Sequence, residues 1–118
     1  MLVDAPCSGI GSARRRPELL WRATRERLAG LARLQVAIAE ASADLARPGG
    51  RLVYSVCTYP RAETDAACDA LLRHRPELRP DPFHGPDGHA ARSRLWPHRH
   101  GSDGMFVASF RKAEEGRR

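Results

Sequence analysis

Two short apolar runs, each followed closely by a cysteine, stand out in the pattern of hydrophobic and polar positions along the chain. Residues 1–4 precede Cys7, and residues 52–56 precede Cys57. Buried parallel strands form short continuous apolar runs, and their carboxyl ends meet at one edge of a sheet. The pattern therefore predicts an α/β fold in which two neighbouring parallel strands bring both cysteines to one crevice.

The segment between these runs predicts a crossover helix. Apolar residues recur at helical spacing from about residue 24 to 46, and a Pro-Gly-Gly sequence at 48–50 supplies the stop. A loop and one helix form the usual connection between adjacent parallel strands. The loop at 5–17 is rich in glycine, serine and arginine, which is typical of a surface loop beside a site.

The rest of the chain predicts one more helix and an edge hairpin. The helix would begin at Pro60 and end before Pro76, with Cys68 as a small core residue. A short strand at 94–96 would pair antiparallel with a last strand at 105–110 at the sheet edge. We expect a single domain at 1–112 and a charged, fraying tail at 113–118.

Composition adds charge and redox information. The net charge is +6 and Lys112 is the single lysine among 20 basic residues, so arginine dominates and a polyanionic partner such as nucleic acid is favoured. The three cysteines have no CxxC spacing, which is typical of reduced thiols and not of a zinc site or a disulfide framework. No apolar run approaches the ~20 residues that cross a bilayer, so we expect a cytoplasmic protein without membrane contact.

Several side chains invite alternative interpretations. The aromatic residues are expected to pack in the core rather than stack on bases, and His98 with His100 lacks a third ligand for a metal. Cys57 lies between a strand end and a predicted helix start, where the helix dipole favours a thiolate. Chemistry alone leaves Cys7 and Cys57 interchangeable as nucleophile, and a thiol hydrolase using Cys57 and His98 is an alternative. This expectation concerns the two tryptophans and two tyrosines, Trp21, Tyr54, Tyr59 and Trp96.

Three ordered motifs carry a resemblance to a known family. They are DAPCSG at 4–9, LVYSVCT at 52–58, and a closing group of Trp96, Pro97, His98, Gly101 and DGMF at 103–106. Together they resemble the second half of the Sun (Fmu)/Nop family of RNA cytosine-C5 methyltransferases. The resemblance implies the C-terminal half of a Rossmann-like class I methyltransferase sheet, with parallel strands and crossover helices before a C-terminal antiparallel hairpin.

The resemblance also implies roles for individual residues. Cys57 matches the cysteine that bonds to cytosine C6, and Cys7 matches the one that helps release the methylated base. Asp4 matches an aspartate beside the cofactor and the base, and Pro6 adjoins it in the cofactor site. S-adenosylmethionine is the implied cofactor and ribosomal RNA the implied substrate, with transfer RNA as the alternative. Candidates for RNA contact are Arg14, Arg15, Arg16, Arg61 and His98.

One departure from the family stands out. No glycine-rich cofactor loop precedes the first strand, which matches the fourth strand of a doubly wound sheet, so residues 1–4 should present an open apolar edge. Three interpretations follow: a fragment of a longer methyltransferase, a half-enzyme that needs a separately encoded N-terminal half, or a non-catalytic RNA-binding remnant.

Overall fold

A computed structural model describes residues 1–114, which form one mixed sheet, a small separate hairpin and three helices. The helices are α1 (Arg25–Leu45), α2 (Asp65–His74) and α3 (Pro97–His100). The strands are β1 (Leu2–Asp4), β2 (Arg51–Val56), β3 (Leu78–Pro80), β4 (Phe83–Gly85), β5 (Gly88–Ala90), β6 (Arg92–Leu95) and β7 (Met105–Lys112).

The parallel unit predicted from the sequence is present. β1 and β2 pair in parallel, with Leu2 opposite Val53 and Asp4 opposite Ser55, and α1 connects them. The Thr24 side chain caps α1 by accepting a hydrogen bond from the Arg27 backbone N–H at 3.2 Å. The predicted bounds of the crossover helix are therefore confirmed, and both cysteine turns follow the carboxyl ends of adjacent strands.

The antiparallel part differs from the prediction in position. β6 and β7 do pair antiparallel. However, β7 also pairs with β2 along the whole length of β2, and β7 therefore lies inside the sheet. β6 covers residues 92–95 instead of 94–96. The sequence did not predict β3, which pairs with the end of β7, or the β4–β5 hairpin.

The core lies on one face of the sheet. Leu52, Tyr54 and Val56 alternate toward α1 and α2 and lie beside Phe106 and Phe110 of β7. The opposite face is more open, because Val53 is only half-buried and Leu2 is 67% exposed. β1 forms a sheet edge, as predicted.

The second helix begins later than predicted. A 3-10 turn at Arg61–Glu63 follows Pro60, and α2 starts at Asp65. Cys68 on α2 is buried in the core, as predicted. Within residues 1–114, no helix is both long and apolar enough to cross a bilayer.

The end of the chain is more ordered than the sequence indicated. β7 continues through Arg111 and Lys112, and the Ala113 N–H donates to the Glu77 carbonyl at 2.8 Å. Of the predicted tail, residues 115–118 lie outside the described part of the chain. The division at residue 112 stays a prediction.

Candidate active site

The site is centred on two thiols that meet across adjacent loops. The Sγ atoms of Cys7 and Cys57 are 3.5 Å apart, and both side chains are half-buried. Each cysteine follows the carboxyl end of its strand, β1 or β2, which explains how residues 50 positions apart come into contact. The predicted meeting of the two cysteines at one edge of the sheet is thus present in the structure.

The two sulfurs have different environments. Burial raises the pKa of the Cys7 thiol to about 12, and the neighbouring Cys57 adds to the rise. Backbone hydrogen bonds from Cys57 and Gly9 act in the opposite direction but do not offset it. Cys7 therefore keeps its proton at neutral pH, and its S–H can donate a hydrogen bond to its neighbour.

A buried carboxylate connects the two cysteine loops. Glu63 is fully buried, and its Oε1 accepts from the Ser8 backbone N–H at 2.7 Å and from Gln35 Nε2 at 3.0 Å. Its Oε2 accepts from the hydroxyls of Ser8 at 2.7 Å and Thr58 at 3.2 Å. Ser8 follows Cys7 and Thr58 follows Cys57, so a single side chain contacts the residue after each thiol.

Core residues hold this carboxylate in place. Gln35 on α1 donates to both Glu63 and the Pro6 carbonyl, the latter at 2.9 Å. The buried Tyr54 hydroxyl donates to the Glu63 carbonyl at 2.8 Å. Sequence reasoning did not identify Glu63 as part of the site. The available signal was Gln35, a polar residue that interrupts the apolar stripe of α1 and therefore needs a buried partner.

A glycine contact fixes the Cys57 turn from the other side. The Gly11 N–H donates to the Cys57 carbonyl at 3.0 Å, and the Gly104 N–H donates to the Gly11 carbonyl at 2.7 Å. A Cβ at Gly11 would collide with the Gly104 carbonyl oxygen, so the three backbones can approach only without a side chain here.

The arginine run lies beside this glycine contact. Arg14 Nε donates to Asp103 Oδ1 at 2.8 Å and Arg15 Nε donates to Oδ2 at 2.7 Å. These bonds, with that of Arg15 the stronger, lower the pKa of Asp103 to about 2. Asp103 raises the pKa of Arg15, and the nearby Cys57 adds to it, so this guanidinium is within electrostatic reach of the sulfur. Arg16 instead pairs with Glu18 at 3.1 Å.

Aromatic side chains form a ledge next to Cys57. The rings of Tyr59 and Trp96 are stacked at 4.9 Å with an interplanar angle of 11°, and the exposed His98 ring lies 5.9 Å from Trp96. Tyr54 is a core residue as expected, whereas Tyr59 and Trp96 are half-buried. Trp21 is 88% exposed, so the expectation that it packs in the core is wrong. Its 3-10 turn, Pro17–Arg22, buries only Leu19.

The remaining predicted residues lie on the surface. Asp4 and Pro6 are exposed at the carboxyl end of β1, and within residues 1–114 the Asp4 carboxylate has no hydrogen bond or ion pair. Arg61 is 71% exposed and its nearest carboxylate oxygen, on Asp69, is 3.7 Å away. The His100 ring accepts a hydrogen bond from the Trp96 N–H, and the described part of the chain contains no group of three potential metal ligands.

Parallel strands with a crossover helix, antiparallel closing strands and paired cysteines at the strand ends define the class of the protein. The chain is a Rossmann-like α/β methyltransferase segment. A sequence model described as 16S rRNA methyltransferase RsmB/F matches residues 1–111, and the chain belongs to this family.

Individual relatives agree with this assignment. A Mycobacterium tuberculosis protein named as a methyltransferase is 45% identical over 95% of the chain, which covers 26% of that relative. Ribosomal RNA small subunit methyltransferase B of Thermus thermophilus is 40% identical over 95% of the chain and 29% of its own length. The crystal structure of NSun6 from Pyrococcus horikoshii with SFG superposes with a TM-score of 0.77 at 30% identity, over 97% of this chain and 30% of that one. The chain therefore spans little more than a quarter of the relatives it matches.

Proposed function

We propose that this chain is the cysteine-bearing part of an S-adenosylmethionine-dependent enzyme that methylates cytosine C5 in ribosomal RNA. The observation that carries the proposal is the pair of thiols 3.5 Å apart at the strand ends, of which Cys7 is held protonated. Family membership supports ribosomal RNA as the substrate class. In this proposal the chain works with an upstream segment that its longer relatives contain.

Cys57 acts as the nucleophile in this proposal. Cytosine C5 is too electron-poor to take a methyl group directly, so the Cys57 thiolate first adds to C6 and moves electron density to C5. Cys57 is given this role because burial raises the pKa of the other thiol of the pair, Cys7, to about 12. α2 begins at Asp65, later than the sequence predicted, so its N-terminus does not adjoin Cys57.

Cys7 acts in the release step. After C5 carries the methyl group, loss of the C5 proton restores the C5–C6 double bond and expels the Cys57 thiolate. Cys7 stays protonated because its pKa is raised to about 12, and at 3.5 Å its S–H can donate a hydrogen bond that stabilises the departing thiolate. The exposed Asp4 carboxyl group at the same edge can hydrogen-bond N3 of the base during addition.

The cofactor site is shared with the upstream segment in this proposal. S-adenosylmethionine supplies the electrophilic methyl group when it is bound. Asp4 and Pro6 fit a contact with it, because both are exposed where doubly wound sheets bind nucleotides and Asp4 has no partner within residues 1–114. The NSun6 structure with SFG, an analogue of S-adenosylmethionine, supports this choice of cofactor.

RNA contacts would surround the thiol pair. Arg14 and Arg15 share Asp103, so a phosphate must compete with that carboxylate, whereas within the described residues the exposed Arg61 has one ion pair, a long contact to Asp69. Arg16 and His98 are also exposed. The target cytosine must be flipped out of its base stack to reach the two thiols. The stacked rings of Tyr59 and Trp96, with His98 beside them, offer a surface on which a neighbouring base can stack.

The experiment joins this chain to the upstream segment of the Thermus thermophilus relative and measures methyl transfer from labelled S-adenosylmethionine to ribosomal RNA. We expect activity in the fusion, a loss of at least about a thousandfold with Cys57→Ala, and slowed turnover with Cys7→Ala. Cys68→Ala is the matched control, because Cys68 is a buried core thiol away from the pair. Transfer RNA in parallel reactions tests the alternative substrate.

Two outcomes would contradict the proposal. Full activity of the Cys57→Ala fusion would exclude the covalent route. A fusion that binds ribosomal RNA but transfers no methyl group would favour the non-catalytic RNA-binding alternative.

A further inference from the structure

Glu63 is the one buried carboxylate whose contacts extend to both cysteine loops among the described residues. Its side chain is 0% exposed, and no arginine or lysine among residues 1–114 forms an ion pair with it; four neutral donors satisfy its two oxygens instead. A buried carboxylate without a cation requires such hydrogen bonds, because an unpaired one is strongly disfavoured. The donors are the Ser8 N–H, the Ser8 and Thr58 hydroxyls and the Gln35 amide.

We propose that Glu63 is a positioning residue that sets the distance between the Cys7 and Cys57 sulfurs by holding Ser8 and Thr58 together. The Ser8 and Thr58 hydroxyl oxygens are themselves 2.6 Å apart, so the carboxylate closes a small ring that spans both loops. Each of these residues adjoins one cysteine in sequence. A change at Glu63 therefore moves the two thiols relative to each other.

The anchoring of Glu63 itself is rigid. The 3-10 turn that carries it begins after Pro60, and its own carbonyl accepts from the buried Tyr54 hydroxyl at 2.8 Å. Gln35 fixes the carboxylate from α1 and also holds the Pro6 carbonyl beside Cys7. A strand, a helix and a turn thus all hold Glu63 in place. Such rigidity suits a residue that keeps the Cys7 and Cys57 sulfurs at a fixed distance.

The inference deepens the proposed function and rests on it for the roles of the two cysteines, but the geometry can be measured without RNA. Oxidised glutathione provides the probe. The Cys57 thiolate attacks its disulfide and releases one glutathione; Cys7 then attacks the mixed disulfide, releases the second glutathione and loses its proton. The equilibrium constant for forming the Cys7–Cys57 disulfide reports how well the two sulfurs are held together.

The test compares four variants of the 118-residue chain by mass spectrometry across defined glutathione ratios. Thr58→Val and Glu63→Ala should each lower the equilibrium constant at least about tenfold, because the loops separate. Glu63→Gln should stay within about threefold. Its amide oxygen can face the Ser8 N–H and Gln35, and its NH₂ can donate to two hydroxyls that accept as readily as they donate.

Thr64→Val is the matched control. Thr64 is as buried as Thr58, but its hydroxyl donates to the Pro60 carbonyl at 3.0 Å, outside the ring that spans the loops. It should leave the constant within about threefold even where it lowers thermal stability. If Glu63→Ala does not fold by circular dichroism, Thr58→Val decides the question.

Three results would overturn the inference: an unchanged constant in Thr58→Val, an equal loss in Thr64→Val, or an equal loss in Glu63→Gln and Glu63→Ala. The exchange assay uses no RNA or methyl donor. An inactive or Cys57-independent fusion would therefore refute the proposed function and leave the exchange result intact. An unchanged exchange constant would refute only the role of Glu63.

Discussion

At the residue scale, burial and the neighbouring Cys57 govern the protonation of Cys7. Burial is the main reason that the pKa of Cys7 rises to about 12, and Cys68 reaches about 12 by burial in the core. A raised thiol pKa removes nucleophilicity at neutral pH, since only the thiolate reacts. The neighbours of Cys7 therefore keep it protonated and able to donate a hydrogen bond, which leaves Cys57 as the candidate for attack.

This difference predicts the order of alkylation. With iodoacetamide at pH 8, we expect Cys57 to react at least about tenfold faster than Cys7 or Cys68, because the latter two hold their protons. Peptide mass spectrometry over time gives the three rates separately.

The Cys57→Ala variant tests the direction in which Cys57 shifts the pKa of Cys7. Removing the Cys57 charge lowers the pKa of Cys7, so its thiolate fraction and its alkylation rate at a given pH should rise. Burial still acts on Cys7, so its rate should continue to increase as the pH is raised above 9. Faster reaction of Cys7 than Cys57 in the unaltered chain would contradict the assignment of roles.

At the element scale, close backbone approach decides how the loops after β1 and β2 meet. Gly11 donates to the Cys57 carbonyl and accepts from Gly104, and no side chain fits between these backbones. Gly104 in turn lies against the Tyr59 ring, which stacks on Trp96. The cysteine turn, the arginine loop and the loop before β7 thus form one connected unit.

Two glycine substitutions test this packing. Gly11→Ala should destabilise the chain by about 1–3 kcal/mol, because the new methyl group meets backbone that cannot move aside. Gly30→Ala is the control: its Cβ would meet only the end of Arg33, at 3.9 Å, and alanine in a helix interior should stabilise by about 0.5–1 kcal/mol. Urea denaturation monitored by circular dichroism measures both. Equal stability of Gly11→Ala and the unaltered chain would show that the loops do not meet closely.

The same scale shows what the sequence could predict. Local periodicity was enough for α1 and for the parallel β1–β2 pair, because a crossover helix has few alternatives. The sequence wrongly predicts β7 at the sheet edge. Strand order depends on the pairing of β7 with β2, which is a long-range contact that no local pattern encodes. The sequence does not predict the role of Glu63, because its burial depends on hydrogen-bond donors from three separate segments. Trp21 was misplaced because apolar character alone does not show whether a loop turn faces the core.

At the scale of the whole molecule, one face of the sheet and one edge remain open within the described residues. β1 has a single sheet partner, and Leu2 beside it is 67% exposed. An apolar unpaired edge is unusual on a free surface, since it invites pairing with another strand. This arrangement fits the proposal that the chain acts together with an upstream segment, whose strand would cover the edge.

Charge at this scale fits an RNA partner. The net charge of +6 comes almost entirely from arginine, and Arg14 and Arg15 lie on the same side as the thiol pair. Arginine binds phosphate through two parallel hydrogen bonds, and neutralising several phosphates makes binding weaken with added salt. The arginines that bind RNA and the cysteines that react with it would then lie at the same edge of the sheet.

The most direct test of the central claim is to trap and map the covalent bond between protein and RNA. The fusion with the upstream segment is incubated with S-adenosylmethionine and ribosomal RNA containing 5-fluorocytidine. Fluorine takes the place of the C5 proton and cannot leave as a cation, so the bond between the cysteine sulfur and C6 persists. We predict an RNA adduct on Cys57 that persists in Cys7→Ala and disappears in Cys57→Ala. An adduct mapped to Cys7, or an active fusion that forms none, would contradict the account.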